Sequence, residues 1–211
     1  MSTSNNHPQI ILASSSQTRK DLMNRLHLPY ISVVPDVDES PQGENHADIL
    51  AQRLAYEKAR IISEQYPDAI VIGSDQVAWR EGAPDIFIGK PLTAEKAVRQ
   101  LQANSDKIVY FSTALSVQQK STGFESTLVE HYKVKFRKLT LAESERYVQV
   151  EQPLHCAGSF KCESLGISLF EEMNGLARFS CSRHFVTSRL IYSCCRCCRC
   201  EQVRCGRRGC R

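Results

Sequence analysis

Short apolar runs and amphipathic stretches take turns along residues 9–150. Residues 9–13 and 69–73 are compact apolar runs of strand length, and 30–34 reads as a further strand. Residues 17–27 read as a helix. Over 46–65 the apolar positions Ile49, Leu50, Leu54 and Ile61 fall at helical spacing, which predicts a long amphipathic helix. The spacing predicts another helix over 93–103, with Ala94, Ala97, Val98 and Leu101 on one face. Residues 107–118 and 125–138 then alternate as two long strands joined through Gly123, and Thr140-Leu-Ala-Glu143 is a capping-box start for a helix running to about Val150. Strands alternating with helices place the chain in the α/β class. No repeat interrupts this order before residue 176.

Polar residues at the ends of the apolar runs supply the candidate chemistry. The first run leads into Ser14, Ser15 and Ser16 and then Arg19, just where a helix is expected to begin. Hydroxyls and backbone amides at a helix N-terminus, with a planar guanidinium close by, suit an anion, and phosphate is the expected guest. The plain reading is that the serines are N-caps and Arg19 is a solvated surface residue. Gly73-Ser74-Asp75-Gln76 follows the run 69–72, and Gly89-Lys90-Pro91 precedes the helix near Thr93. Each is expected to put a charged residue at a strand end or turn, where α/β sheets carry their chemistry.

The motifs Leu-Ala-Ser-x-Ser-x-x-Arg (12–19), Val-Asp-Glu (37–39), Glu-Lys-Ala (57–59), Ile-Gly-Ser-Asp-Gln-Val (72–77) and Gly-Lys-Pro (89–91) occur in this order. Together they resemble the Maf family of nucleoside triphosphate pyrophosphatases. A further segment, from Glu151 through Cys-Ala-Gly-Ser-Phe-Lys to Glu163, resembles the branch of that family that hydrolyses 7-methyl-GTP. The resemblance spans about residues 9–175 and implies a Maf/inosine triphosphatase-like fold: a mixed, twisted sheet flanked by helices, with two lobes around a cleft.

The implied reaction is attack of water on the α-phosphorus, giving a nucleoside monophosphate and pyrophosphate. The resemblance makes Asp75 the general base and puts Ser14, Ser16, Arg19, Lys58 and Lys90 on the phosphates. Without it, Lys58 reads as a solvated helix lysine and Lys90 as a turn lysine. A carboxylate of ordinary pKa, near ~4, is a weak base at neutral pH. A divalent cation, Mg or Mn, removes that difficulty, with Asp75 and Glu39 as oxygen ligands. The acidic run around Glu39 otherwise reads as a solvated loop or N-cap. By register Thr18, Gln76 and Glu163 select the base, and a glutamate suits the donor edge of guanine and a cationic 7-methylated ring. Cys156 and Cys162 are expected to be structural.

At 211 residues and 42% hydrophobic content the chain suits one core of ordinary size. Its N-terminus lacks a basic segment followed by an apolar one, and no apolar run approaches membrane length, so the expectation is a cytoplasmic protein without membrane contact. P-loop, Gly-x-Gly-x-x-Gly and His-Glu-x-x-His signatures are missing. The formal charge of +4 is unevenly spread: residues 176–211 hold nine arginines, eight of the ten cysteines and one acid, Glu201.

The expected organisation is thus a domain over 1–175 and a Cys/Arg-rich tail over 176–211. A shifted reading frame near residue 175 produces such an abrupt change; a metal-binding or nucleic-acid-binding tail is the rival. The Cys-x-x-Cys matches in 194–200 overlap instead of forming separate knuckles. The expected partner is the nucleoside triphosphate, with nucleic acid disfavoured and a homodimer left open. The alternative function is a nucleotide-binding or Arg-rich interaction protein that has lost turnover through its altered C-terminus.

Overall fold

The computed structural model describes residues 8–161 and 165–175. The tail over 176–211, Cys162 and Glu163 lie outside the described residues.

Among the described residues seven strands form one mixed sheet in the order β2-β1-β3-β5-β6-β7, with β4 on β3. They are β1 (Ile10–Ala13), β2 (Ile31–Val33), β3 (Ile70–Arg80), β4 (Ala83–Ile88), β5 (Ile108–Gln119), β6 (Phe124–Phe136) and β7 (Phe170–Gly175). β1 runs parallel to β2 and β3, whereas β3–β4, β3–β5, β5–β6 and β6–β7 are antiparallel. Among the described residues four helices flank the sheet: α1 (Gln17–Asn24), α2 (Ala47–Gln65), α3 (Ala94–Asn104) and α4 (Leu141–Glu151). No helix among the described residues is long and apolar enough to cross a membrane.

Alternation along the strands sorts these helices onto two faces. On one face α2 packs Ala47, Leu50, Ala51, Leu54 and Ala55 against Val77 and Ala114, and Ala59 and Ile62 against Ile11, Ala13 and Val71. The opposite face carries two separate cores. Met23 of α1 meets Leu12, Ile70, Ile72, Leu115 and Val117, while α3 and α4 bring Ala97, Leu101, Tyr147 and Val148 onto Ala78, Val109, Phe111, Val134 and Phe136. Coverage on both faces explains why 69–72 reads as a continuous apolar run.

The expected capping box is present: Thr140 Oγ1 accepts from the Glu143 amide, and the Glu143 carboxylate accepts from the Thr140 amide. With the Arg137 guanidinium also beside it, this bonding pulls the Glu143 carboxyl down to about 2.

Three expectations need correction. The helix expected over 17–27 ends at Asn24, because the amides of Leu26 and His27 bond back only three residues and His27 adopts φ 53° shortly before Pro29. The strand expected over 69–73 continues to Arg80, so Asp75 sits in mid-strand and not at a strand end. It is held there by β5, which pairs with β3 from Val71 to Arg80. Finally, β4 and β7 are strands that local pattern does not reveal.

Candidate active site

One edge of β3 has a break in its pairing. β1 accompanies it as far as the pair Ala13–Gly73, and β4 takes over only at Ala78–Ile88. Among the described residues Ser74–Val77 are therefore unpaired on that edge, over a gap of roughly 17 Å at ~3.3 Å per residue. The loop after β1, with Ser14, Ser16 and Arg19, flanks one end of this notch. Gly89 and Lys90, which follow β4, flank the other.

At the first end Ser14 is 4% exposed, and its Oγ accepts from the Ser16 amide at 3.1 Å and from Arg19 Nη1 at 3.4 Å. Ser32 Oγ donates to the Ser14 carbonyl at 2.7 Å, tying the loop to β2. Ser16 occupies the N-cap position of α1 but makes no side-chain cap bond. The N-cap reading therefore holds for Ser16 by position only, without a capping bond from its hydroxyl. The loop is tied down while the Ser16 hydroxyl is left out of capping. Thr18 lies half-buried in the first turn of α1.

On the α2 face Lys58 is 5% exposed, so it is not a solvated helix lysine. Its Nζ donates at 2.6 Å to both Asp75 Oδ1 and Glu39 Oε1, and the exposed Lys90 Nζ lies 3.5 Å from Glu39 Oε2. Burial pushes the Glu39 carboxyl up, but the hydrogen bond and charge of Lys58, then those of Lys90, outweigh it and hold the group below its ordinary value. Gly73 makes the approach of α2 possible. A Cβ there would stand 2.3 Å from the Ala55 carbonyl oxygen and 2.6 Å from the Ala59 amide.

Glu39 sits in a loop without regular structure, and the residue that secures it, Arg53, escaped the sequence reading. Its Nη2 donates to the Ser40 carbonyl at 2.8 Å and its Nη1 to the Asp38 carbonyl at 3.5 Å, the two carbonyls that bracket Glu39. Arg53 also pairs with Glu44 and, at 3.1 Å, with Glu57. The signal available in sequence was only an arginine five residues before Lys58, too common on helices to single out.

Apart from Thr18, and from Glu163 outside the described residues, the sites named from sequence fall into three groups. Ser14, Ser16 and Arg19 meet at one end of the notch, and Glu39, Lys58, Asp75 and Lys90 form one charged chain. Gln76 points to the opposite face of the sheet, where its Nε2 donates to Thr113 Oγ1 at 2.7 Å.

Residues 9–178 match the family model described as Maf-like protein. The chain belongs to that family. This Maf-like chain is 68% identical over 170 residues to the nucleoside triphosphate pyrophosphatase of Acinetobacter baylyi, covering 81% of this chain and 86% of that one. It is 46% identical over 165 residues to the 7-methyl-GTP pyrophosphatase of a Polaromonas species, covering 78% and 74%. Among solved structures, a HAM1 protein from Coxiella burnetii aligns at 17% identity with a TM-score of 0.43, over 74% of this chain and 89% of that one.

The donor set suits the divalent cation that the family resemblance implies. Glu39 and Asp75 each bring a carboxylate oxygen within 2.6 Å of one point, Lys58 Nζ. Mg is usually held by one or two carboxylates together with substrate phosphate oxygens, and these two side chains could supply the carboxylates. Among the described residues no group of three or more His, Cys, Asp or Glu forms such a cage.

Proposed function

We propose that this chain hydrolyses a nucleoside triphosphate between the α- and β-phosphorus atoms, with 7-methyl-GTP as its substrate. The observation that carries the reading is the Glu39–Lys58–Asp75 arrangement beside Lys90, at a notch whose other end holds Ser14 and Arg19. The activity follows the 68%-identical relative, and the nucleotide follows the 46%-identical one.

In this reading Arg19, Lys58 and Lys90 neutralise the triphosphate, and Ser14 and Ser16 donate hydrogen bonds to it. Asp75 orients a water for in-line attack on the α-phosphorus and takes its proton. The water oxygen bonds to phosphorus as the bond to the bridging oxygen breaks, and pyrophosphate leaves with the electron pair. Glu39 and Asp75 would hold Mg or Mn; what such an ion supplies when bound is charge neutralisation across the phosphates and a more acidic water. Arg53 keeps Glu39 in place through the flanking carbonyls.

The test is pyrophosphate release with Mg or Mn from 7-methyl-GTP, GTP, UTP and dTTP. The expected result is the highest kcat/KM with 7-methyl-GTP and no release after chelation of the metal. Release that is fastest with UTP or dTTP rejects the nucleotide assignment, and no release from any nucleotide by folded protein rejects the activity.

A mutant cycle probes the loop. Arg53→Met and Glu39→Gln are each expected to lower kcat about tenfold or more, and the double variant to fall within about twofold of Glu39→Gln alone, because both remove one function. Additive losses would separate Arg53 from Glu39.

A further inference from the structure

Lys58 stands at the point on which Glu39 and Asp75 converge. Its Nζ lies 2.6 Å from Asp75 Oδ1 and 2.6 Å from Glu39 Oε1, so the two carboxylates meet on an ammonium that the chain supplies itself. Lys58 and Asp75 are both buried, which keeps their contact out of the screening of solvent. A buried charge is costly unless it is paired and hydrogen-bonded, and two short charge-assisted bonds meet that condition here. The exposed Lys90, 3.5 Å from Glu39 Oε2, makes a looser contact at the rim.

The charges of Glu39, Lys58, Asp75 and Lys90 cancel. A free divalent cation approaching the two carboxylates therefore meets no net attraction from this group, and it can reach both oxygens only by expelling Lys58 from between them. The expelled ammonium needs new partners, because a charge left unpaired inside a protein is strongly destabilising. Triphosphate oxygens are such partners. The four-carbon stem of a lysine is flexible enough to exchange one set of oxygens for another. The backbone beneath it stays fixed, for Ala59, its neighbour in α2, is packed against Gly73.

We propose that Lys58 is a built-in place-holder for the divalent cation. In the nucleotide-free chain it occupies the seat between Glu39 and Asp75 and excludes the free ion. It yields that seat only when triphosphate oxygens take over its ammonium. The inference rests on the nucleotide hydrolysis proposed above and deepens it, because the species that the site accepts is then the metal–nucleotide complex. Lys58 passes from carboxylates to phosphates as that complex docks, so neither the lysine nor the carboxylates are left without a counter-charge.

The test is Mn²⁺ binding to the nucleotide-free chain, read by the loss of the free-ion electron paramagnetic resonance signal, which needs no turnover. Wild type is expected to bind weakly. Lys58→Met is expected to bind about tenfold or more tightly, because it removes a positive charge from within 2.6 Å of both carboxylates and keeps a stem of similar length. Lys90→Met removes the same charge from an exposed position and is expected to shift the affinity by no more than about threefold. Combining Lys58→Met with Glu39→Gln is expected to abolish the gain. Equal affinity of Lys58→Met and wild type overturns the proposal. So does an equal gain in Lys90→Met, which would reduce Lys58 to background charge, or a gain that survives Glu39→Gln.

Thermal denaturation covers the case of an unstable variant. Lys58→Met leaves two carboxylates facing one another, so its melting midpoint is expected to fall and to recover as Mn²⁺ is added, but not with Na⁺ at the same ionic strength. A midpoint that falls and does not recover in Mn²⁺ overturns the proposal, as does a wild-type midpoint that rises with Mn²⁺ alone. A gain of Mn²⁺ binding in Lys58→Met, in a chain whose wild type releases no pyrophosphate, would fell only the hydrolytic reading.

Discussion

Asp75→Asn is expected to lower pyrophosphate release about 10²- to 10⁴-fold, the usual range for removal of a positioned base, while the chain stays folded. The amide keeps the size of the carboxylate but cannot take a proton from water and is a poor cation ligand. Lys58 retains Glu39 at 2.6 Å, so the substitution does not strand a buried ammonium without a partner. Thermal denaturation alongside the rate separates the two effects. A rate within about threefold of wild type would remove Asp75 from the chemistry. A collapsed melting transition would make its role one of holding α2 to the sheet.

The second large effect is expected at Gly73. Its missing side chain is what lets α2 lie against β3, because the Cβ of an alanine would meet backbone atoms of Ala55 and Ala59 at 2.3 and 2.6 Å. Backbone cannot rotate out of the way as a side chain can, so the helix must move. Gly73→Ala is expected to cost about 1–3 kcal/mol or more of stability by overpacking. It should also lower kcat steeply, since the displaced helix carries Lys58 away from Asp75. Gly89→Ala is the control: among the described residues nothing lies within 4 Å of the Cβ it would add, so its melting midpoint should stay close to wild type. Equal stability of the two variants would show that α2 is not held at this contact.

Local pattern revealed the elements that have a local cause. The long helix α2, the amphipathic helix α3, the Thr140 capping box and the two long strands joined at Gly123 all announce themselves by period or cap chemistry, and each is present within a few residues. The elements it missed have weak local signals. β4 opens on Ala83, Pro84 and Asp85 after a turn at Gly82, which leaves only the short run Ile86–Ile88 as a strand signal, and pairing with β3 completes the element. Gly73-Ser74-Asp75-Gln76 reads as a turn because its residues favour turns. Ten residues of pairing with β5 extend it as strand instead.

The candidate site divides along the same line. Sequence alone determined which side chains carry charge and hydroxyls, the order of the family motifs, and hence Ser14, Arg19, Glu39, Lys58, Asp75 and Lys90 as the residues to watch. Tertiary structure decided that Lys58 is buried between two carboxylates, that Arg53 secures the loop bearing Glu39, and that Gln76 bonds Thr113. The reason is physical: composition and period act within a turn or a strand, whereas these contacts join residues 13 to 37 positions apart. Only the pairing and packing of the completed sheet sets such distances.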